Sequence, residues 1–180
     1  MISQFYKEIY GDEYYDGENI QEFLRYVIGT IYSEPVDTSR TYYENEVFKI
    51  INNTIQEDDY DDVLTLIEAI IQYWDSYLRD TRGYKYYDAY NNSYRRGSIY
   101  EIANLYLKRE YVGYRFIDGQ LTPISDEYEL ESVKQALNNP YSPVYEHLSK
   151  ANKLLGDRTA PDYENSIKES ISAVEALCEI

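Results

Sequence analysis

Apolar positions in this chain recur mostly at the three-and-four spacing of an amphipathic helix. Ile2, Phe5, Tyr6 and Ile9 open the series, and Gly11 closes that short helix ahead of a loop rich in Gly, Asp and Tyr that runs to about Gly17. Ile20, Phe23, Leu24, Val27, Ile28 and Ile31 form a second stripe that ends before Pro35. Tyr43, Val47, Ile50, Ile51 and Ile55 form a third. In the fourth, Val63, Leu64, Leu66, Ile67, Ile70, Ile71, Trp74 and Leu78 spread over more than one face, which predicts a central helix. Tyr84–Arg96 has no clear period and is expected to be a loop or a short irregular helix. A sharp helix start follows. Ser98 and Glu101 make a capping box, and Ile99, Ile102, Ala103, Tyr106 and Leu107 supply the buried face.

The period changes between Tyr111 and Ile124, which reads as the only strand pair of the chain. Asp118-Gly119 suits the two positive-φ positions of a type I′ turn. A two-residue turn sets Ile117 opposite Gln120, Phe116 opposite Leu121, Arg115 opposite Thr122 and Tyr114 opposite Pro123. Because side chains alternate between faces, Val112, Tyr114, Phe116 and Leu121 are expected on one apolar side. The amide that Pro123 lacks would point away from its partner, so the hairpin tolerates it while a third strand could not bond there.

Beyond the hairpin, Ser125 or Asp126 caps a helix through Val133 and Leu137. Ser142-Pro143 reads as an N-cap with proline in the first turn, opening a helix that carries Val144, Leu148, Ala151 and Leu155 and stops at Gly156. A last helix starts near Pro161, carries Ile167, Ile171, Val174, Ala176 and Leu177, and reaches Ile180 with its pattern uninterrupted. This predicts that the chain continues or that a partner, such as a second copy in a homodimer, covers that end. The expected architecture is mainly α: a helical bundle with one β-hairpin at about 111–124, divided into a domain at 1–124 and a helical segment at 125–180.

Charge restricts the partners. With 17 basic and 33 acidic side chains the net charge is −16, and a uniformly acidic surface repels phosphate backbones. The distribution is uneven, though: Met1–Leu78 holds 4 basic and 17 acidic residues, whereas 79–115 holds 8 and 4. The single cysteine, Cys178, leaves no internal disulfide. Together with a start unlike a secretory signal and no bilayer-spanning apolar run, this predicts a cytoplasmic protein without membrane contact. The 24 tyrosines either replace Phe and Leu at half-buried positions or include a stacking surface.

Few residues suggest chemistry. His147 is the only histidine, so neither a zinc site nor an obvious nucleophile pair can be assembled. His147 is expected at a surface or interface, with a catalytic base as the sharper alternative. Cys178 lies on the last apolar stripe and is expected to be a buried, inert thiol. The acidic run Asp58-Asp59-Tyr60-Asp61-Asp62 lacks the turn glycine of a calcium loop and fits a helix N-terminus. No phosphate-binding glycine loop is present, and no cofactor or metal is implied. The one suggestive constellation is Arg79, Arg82, Lys85, Arg95, Arg96, Lys108, Arg109 and Arg115 interleaved with Tyr84, Tyr86, Tyr87, Tyr90, Tyr94 and Tyr111. Cations among stacking aromatics can hold single-stranded RNA. The competing reading pairs these cations with the acidic helices on either side.

Asn92-Ser93-Tyr94-Arg95-Arg96, followed by Tyr114–Gly119 and Pro123-Ile124, resembles the N-terminal domain of AbiJ-like abortive-infection proteins of bacteria. The tail from Asp162 to Leu177 is similar to the segment leading into the HEPN helical domain of such proteins. The resemblance implies phage defence, and a HEPN unit implies a metal-independent ribonuclease marked by arginine followed four to six residues later by histidine. This sequence departs from that signature: no arginine stands at that distance before His147, and no histidine follows Arg158. The resemblance therefore implies a non-catalytic sensing or regulatory domain that works through a protein or RNA partner, or on the protein's own C-terminal HEPN domain. One alternative is part of a ribonuclease whose motif lies outside these residues, with Asn165, Glu169 and Glu175 lining a site that other helices complete. A second is an unrelated helical interaction protein.

Overall fold

A computed structural model describes residues 2–10, 17–81, 85–88, 93–96, 98–124, 126–158 and 160–179. They are mainly helical and form two compact units, Met1–Ile99 and Tyr100–Ile180. None of the helices among the described residues is long and apolar enough to cross a membrane.

In the first unit, α1 (Ile2–Tyr10), α2 (Glu18–Tyr26), α3 (Glu44–Glu57) and α4 (Tyr60–Thr81) follow the apolar stripes. α2 continues into a π-helical turn, Val27–Ile31, that the stripe alone does not reveal. As expected, α4 is central: Leu64, Leu66, Ile70, Ile71, Trp74 and Leu78 are all buried. Its indole stacks on Phe23 at 5.0 Å between ring centroids and meets the edge of Phe5 at 6.2 Å. Tyr6 packs against Phe23 and Phe48, and Tyr73 stacks on Tyr26. Each such pair contributes about 0.5–1.5 kcal/mol beyond area burial. Tyr6, Tyr10 and Tyr42 thus serve as core residues. Burial raises the Tyr10 phenol far above its usual range and pushes Tyr73 up to about 12. Gln21 lies inside this core and bonds both backbone groups of Tyr42, donating to its carbonyl and accepting from its N–H at 2.9 Å each.

The stretch expected to be loop or irregular helix instead contributes two strands, β1 (Lys85–Asp88) and β2 (Ser93–Arg96), so the hairpin near residue 118 is not the only strand pair. They pair antiparallel, Lys85 with Arg96, Tyr86 with Arg95, Tyr87 with Tyr94 and Asp88 with Ser93. Neither strand alternates apolar and polar residues, which is why periodicity misses them.

The second unit comprises α5 (Ile99–Arg109) from Tyr100 on, β3 (Arg115–Ile117), β4 (Gln120–Thr122), α6 (Glu127–Leu137), α7 (Ser142–Gly156) and α8 (Tyr163–Cys178). Within this unit the hairpin packs with the helices that follow it, β3 with α6 and β4 with α7. β3 and β4 pair in the expected register, Arg115–Thr122, Phe116–Leu121 and Ile117–Gln120, and the ladder ends there. Asp118 (φ 48°) and Gly119 (φ 78°) take the two left-handed turn positions.

The expectation of one apolar side is too modest. Phe116 and Leu121 are buried, but so are Arg115, Ile117 and Thr122, leaving the ribbon buried on both faces. Ile117 joins Ile124 and Leu130, with Val133 and Leu137 against them. In a non-hydrogen-bonded pair the backbone groups of Phe116 point away from Leu121. Asn104 of α5 meets them, accepting from the Phe116 N–H at 2.6 Å and donating to its carbonyl at 2.9 Å. On the other strand Arg158 donates to the Leu121 carbonyl at 3.3 Å. Asn152 of α7 donates to the Ile117 carbonyl and accepts from Thr122 Oγ1, at 2.9 and 2.8 Å. Side chains thus fill the edges of a ribbon too short to stand alone.

Candidate functional site

α7 and α8 bring together the residues with the most chemical potential. Asp126 caps α6 as expected, accepting from the Tyr128 and Glu129 amides at 2.9 Å. α7 begins one residue earlier than the Ser-Pro signal implies. Tyr141 stands at the N-cap, and Ser142, inside the helix, donates to Glu146 Oε1 at 2.7 Å. α8 is capped by Asp162, whose carboxyl lies below its usual range because it accepts from the Asn165 amide and side chain.

The helices run antiparallel, as their partners show: Asp162 bonds Leu154, Ser166 bonds Ala151, and Glu169 reaches His147 and Lys150. Small residues form the seam, since Ala151, Ser166 and Ala173 are buried. Glu169 Oε2 lies 2.7 Å from His147 Nδ1, and its other oxygen accepts from Lys150. Those two partners, Lys150 first, hold the Glu169 carboxyl below its ordinary value of 4.5. The imidazole is 39 % exposed, so it lies on the surface with one nitrogen tied to a carboxylate. On α7, Tyr145 and Ser149 both donate to Asp118 at the hairpin tip, at 3.2 and 2.6 Å. The pattern had not singled out these two contacts, nor Asn104 and Asn152. An asparagine among the apolar residues of α5 was the only available signal.

Several cations of the basic segment have acidic partners close by. Arg79, in the first unit, pairs with nearly buried Asp75 at 2.7 Å. Lys108 pairs with Glu127 at 3.3 Å, and Arg109 pairs with Glu110 at 2.8 Å and lies 4.9 Å over the Tyr106 ring. Arg115 is buried and structural, donating to the Val112 and Tyr114 carbonyls at 2.6 and 2.7 Å, which removes it from any exposed basic patch. Lys85, Tyr86, Tyr87, Tyr94, Arg95 and Arg96 occupy the β1–β2 ladder, while Arg82, Tyr84 and Tyr90 lie outside the described residues. Tyr111 is 96 % exposed. Of the three polar α8 residues, Glu169 joins the His147 cluster, Asn165 serves the helix cap and Glu175 is exposed. Asp61 and Asp62 occupy the first turn of α4. No group of ligating side chains among the described residues could hold a metal ion.

Cys178 is exposed rather than buried. The reason lies in α8 itself: it turns its small residues to α7 and leaves Ile167, Ile171, Val174 and Leu177 between 48 and 61 % exposed.

Comparison with known families adds one match. The family model of AbiJ N-terminal domain 4 matches residues 1–139. The chain belongs to that family, and with it to the abortive-infection proteins. The match runs from α1 through the end of α6, so α7, α8 and their cluster lie outside it. No curated protein and no solved structure matches the chain.

Proposed function

We propose that this chain is the non-catalytic sensing and regulatory part of a phage-defence protein, acting in the cytoplasm through a protein partner, with α7 and α8 leading into a HEPN-like unit. The exposed apolar stripe of α8 carries this reading, because a row of large apolar side chains in water is the mark of an interaction surface. The His147 cluster supports it from the other side. Glu169 is shared between His147 and Lys150, and no arginine precedes His147 at the ribonuclease spacing. Incubating the purified chain with labelled RNA in chelator tests the proposal: intact RNA is the expected result, and specific cleavage overturns it.

One observation favours a second reading, contact with RNA. The β1–β2 register sets Lys85 opposite Arg96 and Tyr87 opposite Tyr94, so one short ribbon carries two basic and two aromatic positions at paired register. Filter binding across a salt series decides it, since phosphate contacts weaken steeply as salt rises. Absence of binding at low salt removes this reading.

A further inference from the structure

We infer that the outer face of α8 docks an amphipathic helix of another polypeptide, one that carries lysine or arginine beside its apolar stripe. The inference rests on the interaction-domain reading and names the chemistry of the partner. Ile167, Ile171, Val174 and Cys178 follow the three-and-four spacing that a helix-in-groove contact reads. They are exposed although α8 packs tightly on α7, because Ser166 and Ala173 make the seam with α7.

Charge selects the occupant. On a helical projection Glu164, Lys168, Glu175 and Glu179 lie along the free margin of the stripe, and Lys168 is already bonded to Glu164 at 2.6 Å. A second copy would bring two such acidic margins into one seam, in a chain of net charge −16. A helix with basic margins would instead neutralise the carboxylates while its apolar residues cover the stripe. Complementarity of this kind sets both the partner and its register.

The test uses the full chain and two labelled synthetic helical peptides with the same leucine stripe, one with lysine margins and one with glutamate margins. Fluorescence anisotropy should show the lysine peptide binding at least about tenfold tighter than the glutamate peptide, a difference of about 1.4 kcal/mol. Ile171→Glu should abolish binding of the lysine peptide while circular dichroism and the melting temperature stay unchanged. The sign of that effect is decisive. Added negative charge would strengthen a merely electrostatic capture, so tighter or undiminished binding by Ile171→Glu overturns the inference. Equal affinity for both peptides, no binding of the lysine peptide, or a concentration-dependent dimer abolished by Ile171→Glu also overturns it, the last by making a second copy the occupant. Failure here is distinct from failure of the non-catalytic reading, which RNA cleavage alone would cause.

Discussion

Asn104 shows how much a single residue decides. Its amide supplies both partners of the Phe116 peptide groups inside a buried site. Asn104→Ala strands a donor and an acceptor at once and should destabilise the protein by about 1–3 kcal/mol, read by urea denaturation. Tyr111 presents the opposite case. It closes α5 in the left-handed region (φ 56°), with its own N–H on the Lys108 carbonyl and that of Val112 on Leu107. Glycine is the natural occupant of that position, so Tyr111→Gly should stabilise the fold by about 1 kcal/mol. Glu169 gives a pH signature. Its folded pKa is depressed, so the stability it contributes is present above the ordinary carboxylate range and lost as pH falls through the folded value. Glu169→Gln should lower the melting temperature at pH 7, and the difference between the two proteins should shrink as pH falls through the depressed folded value.

At the scale of elements, legibility tracks how local the determining physics is. The β3–β4 turn was legible to the residue because Asp118-Gly119 has few alternatives, and the four helices of the first unit were legible because their stripes are long. β1 and β2 were not, since four-residue strands without alternation leave no period to detect. α8 is more instructive. Its amphipathicity is evident from the sequence, but which face meets α7 is not, because close helix approach favours small residues over large apolar ones. Ser166 and Ala173 therefore lie in the seam, and Ile167, Ile171 and Val174 remain outside. Substitutions on the two kinds of face should separate clearly. Ile171→Glu should change stability by no more than about 0.5 kcal/mol, whereas Trp74→Ala in the middle of α4 should cost about 3–5 kcal/mol.

For the molecule as a whole, the division of labour follows from where charged and apolar groups come to rest. The aromatic residues that made a stacking surface conceivable are, for Tyr6, Tyr10 and Tyr42, core of the first unit. Arg79, Lys108 and Arg109 each have an acidic partner, which composition alone could not reveal because it does not place side chains in pairs. The His147 cluster likewise depends on the α7–α8 register, invisible until the two helices are packed. On the second unit α8 leaves an apolar stripe outward, and the proposed docking role rests on that stripe. Central to the proposed function is that no reaction centre is assembled among the described residues. A time course of labelled single-stranded RNA with the purified protein and with His147→Ala, both in chelator, measures this most directly. The account predicts intact RNA in both; cleavage by the parent protein that disappears in His147→Ala would contradict it.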